Sequence, residues 1–235
     1  WGLNDSTTDE KVARLRAARG GAAIAELRIC VPLGALHEGA VEALERAGLD
    51  VAPLREAGRR LVVRAPDGTT YITTRPSDVP TYVESGAADL GIVGADVLRE
   101  RGPDVYELLD LRFGDCRMVY ATPAGDDPTP AALEHLGAVR VATKYPVTAL
   151  AHFTATGRQA EVVKVNGSVE LAPLVGLAHG IVDLVATGRT LRENGLVERE
   201  EIFSSSARLV ANRVSHKLRA GPVDALVDRL AGVGS

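Results

Sequence analysis

The sequence of 235 residues is poor in cysteine and aromatic side chains and has no long apolar run. Its two cysteines, Cys30 and Cys116, show no CxxC or metal-ligand spacing, which argues against a disulfide framework or a zinc site. No apolar stretch approaches the ~20 residues that a membrane helix needs. With no secretory signal in view, we expect reduced thiols, a cytoplasmic location and no membrane partner.

Neither sign of charge dominates, since the formal net charge is −4. We therefore expect no nucleic-acid partner, and anionic substrates would need local positive sites. Apolar residues make up 46% of the chain, which suffices for a core in one large or two small domains.

The clearest local pattern is a short apolar strand, a polar turn and a helix start. The strand is predicted over 181–185 and the turn over 186–190. Thr190 and Glu193 have the spacing of a capping box, which predicts Thr190 at the helix N-cap. The order is therefore a buried strand, a glycine turn and a helix.

This order suits a phosphate. Free N–H groups and the positive end of the helix dipole would face the turn, and Gly188 lets the backbone approach a ligand closely. Thr187, Thr190 and Arg189 add hydroxyl and guanidinium donors. A plain connection between a strand and a capped helix is the alternative interpretation.

Strands and helices alternate from about residue 130, which indicates βαβ units and a mostly parallel sheet. Ligands of such sheets bind beyond the carboxyl ends of the strands. Three groups of polar residues follow three of the predicted strands, and we expect them to lie together: Lys144, residues 166–170 and residues 187–190.

Each of these groups also has an ordinary structural explanation. Lys144 can meet a phosphate, or it is simply an exposed lysine. Glu170 and Asp183 can bind ribose hydroxyls or a magnesium–pyrophosphate unit. Their alternative roles are helix capping for Glu170 and a strand-end hydrogen bond for Asp183.

The first part of the chain offers a second set of candidates. A buried strand over 27–31 is followed by a turn at Gly34 and a helix, which is again a potential anion site. Arg75 lies at a predicted corner between a strand and a helix, where it can meet a nucleotide, and Asp78 can cap that helix. The alternative is a structural ion pair between Arg75 and Asp78.

Other segments bear on the domain organisation. Residues 61–64 and 69–73 predict a hairpin, and 196–202 with 207–211 predict a hairpin or two long strands. The amphipathic segment 223–230 predicts a helix that packs on the first domain or on a partner. Residues 1–26 are interpreted as a flexible extension, and a short helix is predicted over 9–19.

Several of these stretches together resemble the ATP phosphoribosyltransferase family, the first enzyme of histidine biosynthesis. The main one is LAPLVGLAHGIVDLVATGRTLRENGLVE, at residues 171–198. The resemblance spans roughly residues 27 to 230, and its other stretches are residues 75–84, 87–94, 141–146, 166–170 and 206–210.

The resemblance implies a fold and a reaction. The fold would be α/β, with two lobes of mixed or parallel sheets like bilobal periplasmic binding proteins and the active site in the cleft between lobes. Lobe I would take residues 27–113 plus 190–235, and lobe II residues 114–189. The reaction would transfer phosphoribosyl from phosphoribosyl pyrophosphate (PRPP) to N1 of ATP, releasing pyrophosphate.

The resemblance also implies roles for residues. PRPP would be bound by Thr187, Gly188, Arg189, Thr190, Glu170, Asp183 and Lys144. The nucleotide would be bound by Arg75, Asp78 and Gly34. Mg²⁺ would enter with PRPP, and no residue is assigned as a nucleophile or base. The matched region corresponds to the short form of the family, which implies a homo-oligomer and a regulatory subunit similar to histidyl-tRNA synthetase.

Three positions depart from the family pattern. Leu33 and Ala35 stand where the family usually carries basic residues that meet substrate phosphates, and His179 stands where relatives commonly have aspartate. These departures leave two alternatives open. One is a paralogous phosphoribosyltransferase with another base acceptor, and the other is a non-catalytic small-molecule binder or pseudoenzyme on the same fold.

Overall fold

The computed structural model describes residues 26–232, which form two compact α/β units. Of the described residues, the first unit holds 26–94, Pro103–Phe113 and 207–232. The second holds Ala95–Gly102 and Gly114–Ser206. The predicted helix over 9–19 lies outside the described residues, as does almost all of the predicted extension.

Eleven strands are described. They are β1 (Arg28–Pro32), β2 (Val62–Arg64), β3 (Thr70–Thr74), β4 (Leu90–Gly94), β5 (Tyr106–Asp110), β6 (Cys116–Pro123), β7 (Val139–Thr143), β8 (Ala160–Lys164), β9 (Gly180–Val185), β10 (Leu196–Ser205) and β11 (Ala207–Ala211).

Ten α-helices accompany them in the described residues. They are α1 (His37–Arg46), α2 (Ala52–Arg55), α3 (Val79–Glu84), α4 (Ala95–Arg101), α5 (Pro128–Leu136), α6 (Pro146–Ala155), α7 (Leu171–Leu174), α8 (Arg189–Glu193), α9 (Arg213–Leu218) and α10 (Ala220–Leu230). In the described part of the chain, no helix is both long and apolar enough to cross a membrane.

The first unit is built on a six-stranded mixed sheet in the order β2-β3-β1-β4-β11-β5. The central strand β1 runs parallel to both β3 and β4, so these three strands end at the same edge. β2 pairs antiparallel with β3, which confirms the predicted hairpin. Val223 and Leu226 of α10 lie in this unit's core, as predicted for the amphipathic C-terminal helix.

The second unit is built on a five-stranded sheet in the order β10-β6-β9-β7-β8. β7 runs parallel to β8 and β9, while β6 lies antiparallel between β9 and β10. The strand pleat sends Ala142 to a core on one face of the sheet and Val141 to a core on the other. The predicted βαβ alternation is therefore confirmed.

Of the two alternatives predicted for the segments 196–202 and 207–211, the structure has two separate strands and no hairpin. β10 pairs with β6 of the second sheet, and β11 pairs with β4 and β5 of the first. For the same reason residues 190–206 and the α4 segment belong to the second unit, not to the first as predicted. Local periodicity cannot report which sheet a strand joins.

A buried ion pair holds the first unit together where β1, β4 and α9 meet. The Asp89 side chain is 1% exposed. It accepts hydrogen bonds from the backbone N, Nε and Nη2 of Arg28 and, at 2.7 Å, from the Ser215 hydroxyl. Burial alone would raise the pKa of Asp89, but the hydrogen bonds from Arg28 and Ser215 outweigh it and hold this pKa below its usual value.

We predict that Asp89→Asn lowers the free energy of unfolding at pH 7 by about 3 kcal/mol, because it leaves the Arg28 guanidinium and Ser215 without a charged acceptor. The lowered pKa means that the carboxylate stabilises the fold above its unfolded pKa of about 3.9 and ceases to do so as pH falls through the folded pKa. The difference from wild type should therefore shrink in acid. Urea unfolding at pH 7 and at about pH 3.5 measures the difference in the free energy of unfolding between the variant and the wild type. Asp126→Asn, at an exposed loop position, is the control. An equal loss of unfolding free energy in both variants would contradict the prediction.

Candidate functional site

The turn after β9 is the centre of the candidate site. Gly188 has a φ of 69° and occupies the N-cap position of α8, which runs from Arg189 to Glu193. The predicted capping box is wrong, because Thr190 lies inside the helix and not at its cap. Glu193 instead forms an ion pair with Arg189, whose Nε donates to the Glu193 carboxylate at 2.7 Å. The left-handed glycine sets the helix start two residues earlier than a cap at Thr190 would.

Hydrogen bonds within the turn fix its shape. The backbone N of Arg189 donates to Thr187 Oγ1 at 3.4 Å, and Arg192 Nη1 donates to the Thr187 carbonyl oxygen at 3.2 Å. A Cβ at Gly188 would lie 3.1 Å from Arg192 Nη1. Thr187, Arg189 and Thr190 are exposed. The turn therefore presents two hydroxyls and a guanidinium to solvent.

The parallel register brings the other predicted groups to the same edge of the sheet. Thr143, the last residue of β7, pairs with Val182 of β9 and with Lys164 of β8. Lys144, the loop after Lys164 and the turn after Val185 consequently all follow neighbouring strands. The predicted convergence of three strand ends is present in the second unit.

Charge interactions link three of these groups. Burial raises the pKa of Asp183, and the negative charge of Glu170 raises it further. The hydrogen bond from the Leu184 backbone N–H, 2.9 Å long, and the positive charge of Lys144 act in the opposite direction. Two carboxylates and one ammonium thus share a small region at this edge.

The structure adds one residue that sequence reasoning missed, Thr143. The buried Thr143 hydroxyl donates to the Val182 carbonyl oxygen at 2.6 Å and accepts from the Tyr145 backbone N at 2.8 Å. The first bond ties the end of β7 to β9, and the second fixes the backbone on the far side of Lys144. The only sequence signal was a threonine at the end of a strand, which is too common to single out.

The remaining candidates lie in the first unit, where β1, β3 and β4 end at one edge. The Leu33 backbone N donates to the Thr74 carbonyl oxygen at 2.8 Å, which places Gly34 beside Arg75. Gly34 has a φ of 78° and open space around its Cα, and the Arg75 side chain is exposed.

Asp78 holds the predicted N-cap position of α3, but its side chain forms no capping hydrogen bond. Its carboxylate accepts from the Ser77 hydroxyl at 3.1 Å, and the alternative ion pair with Arg75 is absent among the described contacts. Asp78 also acts on Cys30. The pKa of the Cys30 thiol is raised to about 12, mainly by burial and to a smaller extent by the negative charge of Asp78. Cys30 therefore stays protonated at neutral pH.

The family model HisG, described as ATP phosphoribosyltransferase, matches residues 75–232. An ATP phosphoribosyltransferase from Rubrobacter xylanophilus is 56% identical over 88% of this chain and 95% of its own length. Another from Symbiobacterium thermophilum is 52% identical over 87% of this chain and 93% of its own. The chain belongs to the ATP phosphoribosyltransferase family.

Solved structures agree with this membership of the ATP phosphoribosyltransferase family. A chain of the HisG:HisZ complex from Thermotoga maritima superimposes with a TM-score of 0.75 at 33% identity and covers 88% of this chain and 98% of that one. The periplasmic VFT2 domain of Bordetella pertussis BvgS gives 0.54 at 18% identity, covering 94% and 96% of the two chains. The second match shows the fold alone, and it confirms the predicted likeness to bilobal binding proteins.

The three departures from the ATP phosphoribosyltransferase pattern differ in how near they lie to the candidate site residues. His179 lies at the amino ends of β7 and β9, opposite the candidate site, where its Nδ1 accepts from the Arg140 backbone N at 2.9 Å. Because it lies away from the candidate site, it gives no support to the alternative of another base acceptor. Leu33 and Ala35 do follow β1, beside Arg75, and Leu33 is exposed.

We predict that Asp183→Asn stabilises the fold at pH 7, by up to about 1 kcal/mol, because the raised pKa means that ionisation of Asp183 opposes folding. The asparagine keeps an oxygen acceptor for the Leu184 N–H. The gain should disappear below the unfolded pKa of about 3.9, where both states carry a neutral aspartic acid. Urea unfolding at pH 7 and pH 3.5 measures this, with Asp126→Asn as the exposed control. A clear loss of stability at pH 7 would show that the Asp183 charge is well paired in the fold.

Proposed function

We propose that the turn over residues 186–190 binds the 5′-phosphate of PRPP in the reaction of this family. The chain transfers the phosphoribosyl group of PRPP to N1 of ATP and releases pyrophosphate, the first step of histidine biosynthesis. The observation that carries the proposal is the convergence of this turn with Lys144, Glu170 and Asp183 at one edge of the second sheet, in a chain of this family.

The turn has the donors that a phosphate dianion needs. Gly188 leaves its backbone open to close approach, and the hydroxyls of Thr187 and Thr190 are exposed at either side. The Arg189 side chain is 78% exposed, and among residues 26–232 its ion pair is with Glu193, four residues on, so it can turn to a phosphate at little cost. Charge-assisted hydrogen bonds of this kind are the strong ones.

Phosphoribosyl transfer requires the protein to position the substrates and to stabilise charge, and it does not require a protein nucleophile. Cleavage of the bond between C1 of the ribose and oxygen gives a cationic, oxocarbenium-like carbon and a highly charged pyrophosphate. In our proposal Asp183 and Glu170 hold the ribose hydroxyls, and Lys144 offsets charge on the phosphates. Holding C1 next to the adenine N1 then supplies much of the rate enhancement.

The carboxylates also fit a magnesium ion that enters with PRPP. Among residues 26–232, no three His, Cys, Asp or Glu side chains group closely enough to hold a metal ion by themselves. Asp183 and Glu170 supply the one or two carboxylates with which Mg²⁺ is usually held beside substrate phosphates. When bound, Mg²⁺ would neutralise part of the charge on the pyrophosphate.

For the nucleotide we propose Arg75, with Gly34 and Asp78 beside it at the edge of the first sheet. Arg75 supplies an exposed guanidinium for ATP phosphates, and Gly34 leaves room for close approach. This assignment matters because Leu33 and Ala35 provide no cation there. The predicted position of the active site between the lobes stays a prediction.

We also propose a regulatory partner. The similar chain from Thermotoga maritima was solved as a HisG:HisZ complex. A partner subunit like HisZ, with the predicted likeness to histidyl-tRNA synthetase, therefore fits this chain. The predicted homo-oligomer and cytoplasmic location stay predictions.

The activity is tested by mixing the purified chain with Mg²⁺, PRPP and ATP and measuring pyrophosphate release together with the mass of the product. We expect phosphoribosyl-ATP in a 1:1 ratio to pyrophosphate, and no pyrophosphate when ATP is replaced by GTP. The same assay is run with a HisZ-like subunit added. Product from GTP but not ATP would favour the paralogue, and no pyrophosphate in any arm would favour the non-catalytic binder.

We predict that Gly188→Ala raises the KM for PRPP by at least about tenfold, because the left-handed φ costs an alanine ~1–2 kcal/mol and its Cβ meets Arg192. Gly137→Ala is the matched control. Gly137 has a φ of 74°, ends α5, and has no atom within 4 Å of an added Cβ. Both variants should lose similar stability, but only Gly188→Ala should change the KM. Equal KM values for both would contradict the phosphate assignment.

A further inference from the structure

Helix α6 begins two residues after Lys144, and its start carries no cap of its own. Tyr145 holds the N-cap position, but its side chain makes no capping hydrogen bond to the helix, and Pro146 is the first helical residue. A helix that begins this way leaves backbone N–H groups to be satisfied from elsewhere.

Glu100 of α4 satisfies two of these groups. Its Oε1 accepts from the Val147 backbone N at 3.0 Å, and its Oε2 accepts from the Thr148 backbone N at 2.9 Å. Both carboxylate oxygens are used, and Glu100 lies 47 positions before Val147 in the chain. The cap is therefore a tertiary contact that holds one element against another.

A second acid on α4 reaches the same segment. Asp96 lies four residues before Glu100, so both side chains share one face of the helix. The Asp96 carboxylate is buried, accepts from the Ser205 hydroxyl at 3.1 Å, and lies 3.5 Å from the Tyr145 hydroxyl. Ser205 anchors α4 at its start, while Glu100 holds the start of α6.

Lys144 consequently lies between two fixed points. On one side the Thr143 hydroxyl joins the end of β7 to the Val182 carbonyl of β9. On the other side Glu100 holds Val147 and Thr148 at the start of α6. A flexible lysine whose backbone is fixed at both ends keeps its ammonium within a small region, and this lowers the entropy that is lost when it binds an anion.

The same contact removes a competing anion site. Free N–H groups at the start of a helix attract phosphates, and α6 is long enough to do so. Because the Glu100 carboxylate already occupies this position, phosphates at this edge of the sheet are directed to Lys144 and the turn at 186–190.

We infer that Glu100 is a positioning residue for PRPP binding, acting through Lys144 by capping α6. The inference rests on the proposed role of Lys144 in binding PRPP. It assigns a function in the reaction to α4, whose neighbours in sequence on both sides belong to the first unit.

The test is a double-mutant cycle on the full chain with Glu100→Gln and Lys144→Met, read as KM for PRPP and as kcat. Glu100→Gln keeps the size of the side chain but presents an NH₂ group to one of the two N–H donors. We expect it to raise the KM for PRPP about fivefold and to change kcat by less than about twofold. In the Lys144→Met background its effect on KM should nearly vanish. Glu134→Gln, an exposed glutamate of α5, is the control and should leave both constants unchanged.

The outcomes separate the inference from the proposal on which it rests. If Lys144→Met leaves the KM for PRPP unchanged, the role of Lys144 fails and the inference fails with it. If Lys144→Met raises the KM but Glu100→Gln has the same effect in both backgrounds, only the positioning role of Glu100 is overturned.

Hydrogen exchange provides a readout that does not depend on activity. In Glu100→Gln, the amides of Val147 and Thr148 should exchange at least about tenfold faster than in the wild type, while the strand amides of β7 stay protected. Unchanged exchange at these two amides would overturn the cap itself. If Glu100→Gln is poorly folded, Glu100→Asp serves in its place, because it keeps the charge but is one methylene too short to reach both donors.

Discussion

The parallel pairing of β7 with both β8 and β9 is the constraint on which the candidate PRPP site depends. Parallel strands end at the same edge of a sheet, so residues that are 20 or more positions apart in the sequence become neighbours there. The Thr143 hydroxyl secures this arrangement by bonding across to the Val182 carbonyl. Once the register is set, Lys144, Glu170 and the turn after β9 need only short loops to reach one another.

The candidate site combines a carboxylate with a raised pKa and a non-glycine residue in a left-handed conformation. Burial and the charge of Glu170 raise the pKa of Asp183, and the Lys144 charge offsets only part of this. Ser168, in the loop before α7, has a φ of 48°, a conformation that a non-glycine residue adopts at some cost. The carboxylates of Asp89 and Glu200, by contrast, meet arginines directly and have lowered pKa values. Strain and charge repulsion at one edge, with well-paired charges elsewhere, are typical of a binding site.

Helix ends in the second unit are used in two different ways. The start of α6 is closed by the Glu100 carboxylate, whereas the start of α8 is left to a glycine in a left-handed conformation with exposed hydroxyls beside it. Both helices follow parallel strands and both starts face the same edge of the sheet. Because of this difference, the start of α8 and not that of α6 is available for the phosphate that we propose at the turn over 186–190.

Much of this could be predicted from the sequence. Apolar runs broken by glycine turns gave the strands β7, β8 and β9 within a residue or so, because burial requires that pattern whatever the partner strand. The rule that parallel strands end together then placed Lys144, Glu170 and residues 187–190 in one group. The collinear stretches from residue 75 onwards gave the family. The sequence could not show that β10 joins the second sheet, since an alternating strand fits either sheet equally well.

Only the tertiary structure decided the contacts between distant residues. The cap of α6 by Glu100, the Arg28–Asp89 pair and the remote position of His179 depend on where elements pack, and no local pattern encodes them. The capping box predicted at Thr190 and Glu193 does not form, although the two residues have the required spacing. The left-handed backbone at Gly188 starts the helix earlier, and the Glu193 side chain pairs with Arg189 instead. Local sequence determined which elements form, because burial and backbone preference act over a few residues; packing determined which side chains meet, because those distances are set by the whole fold.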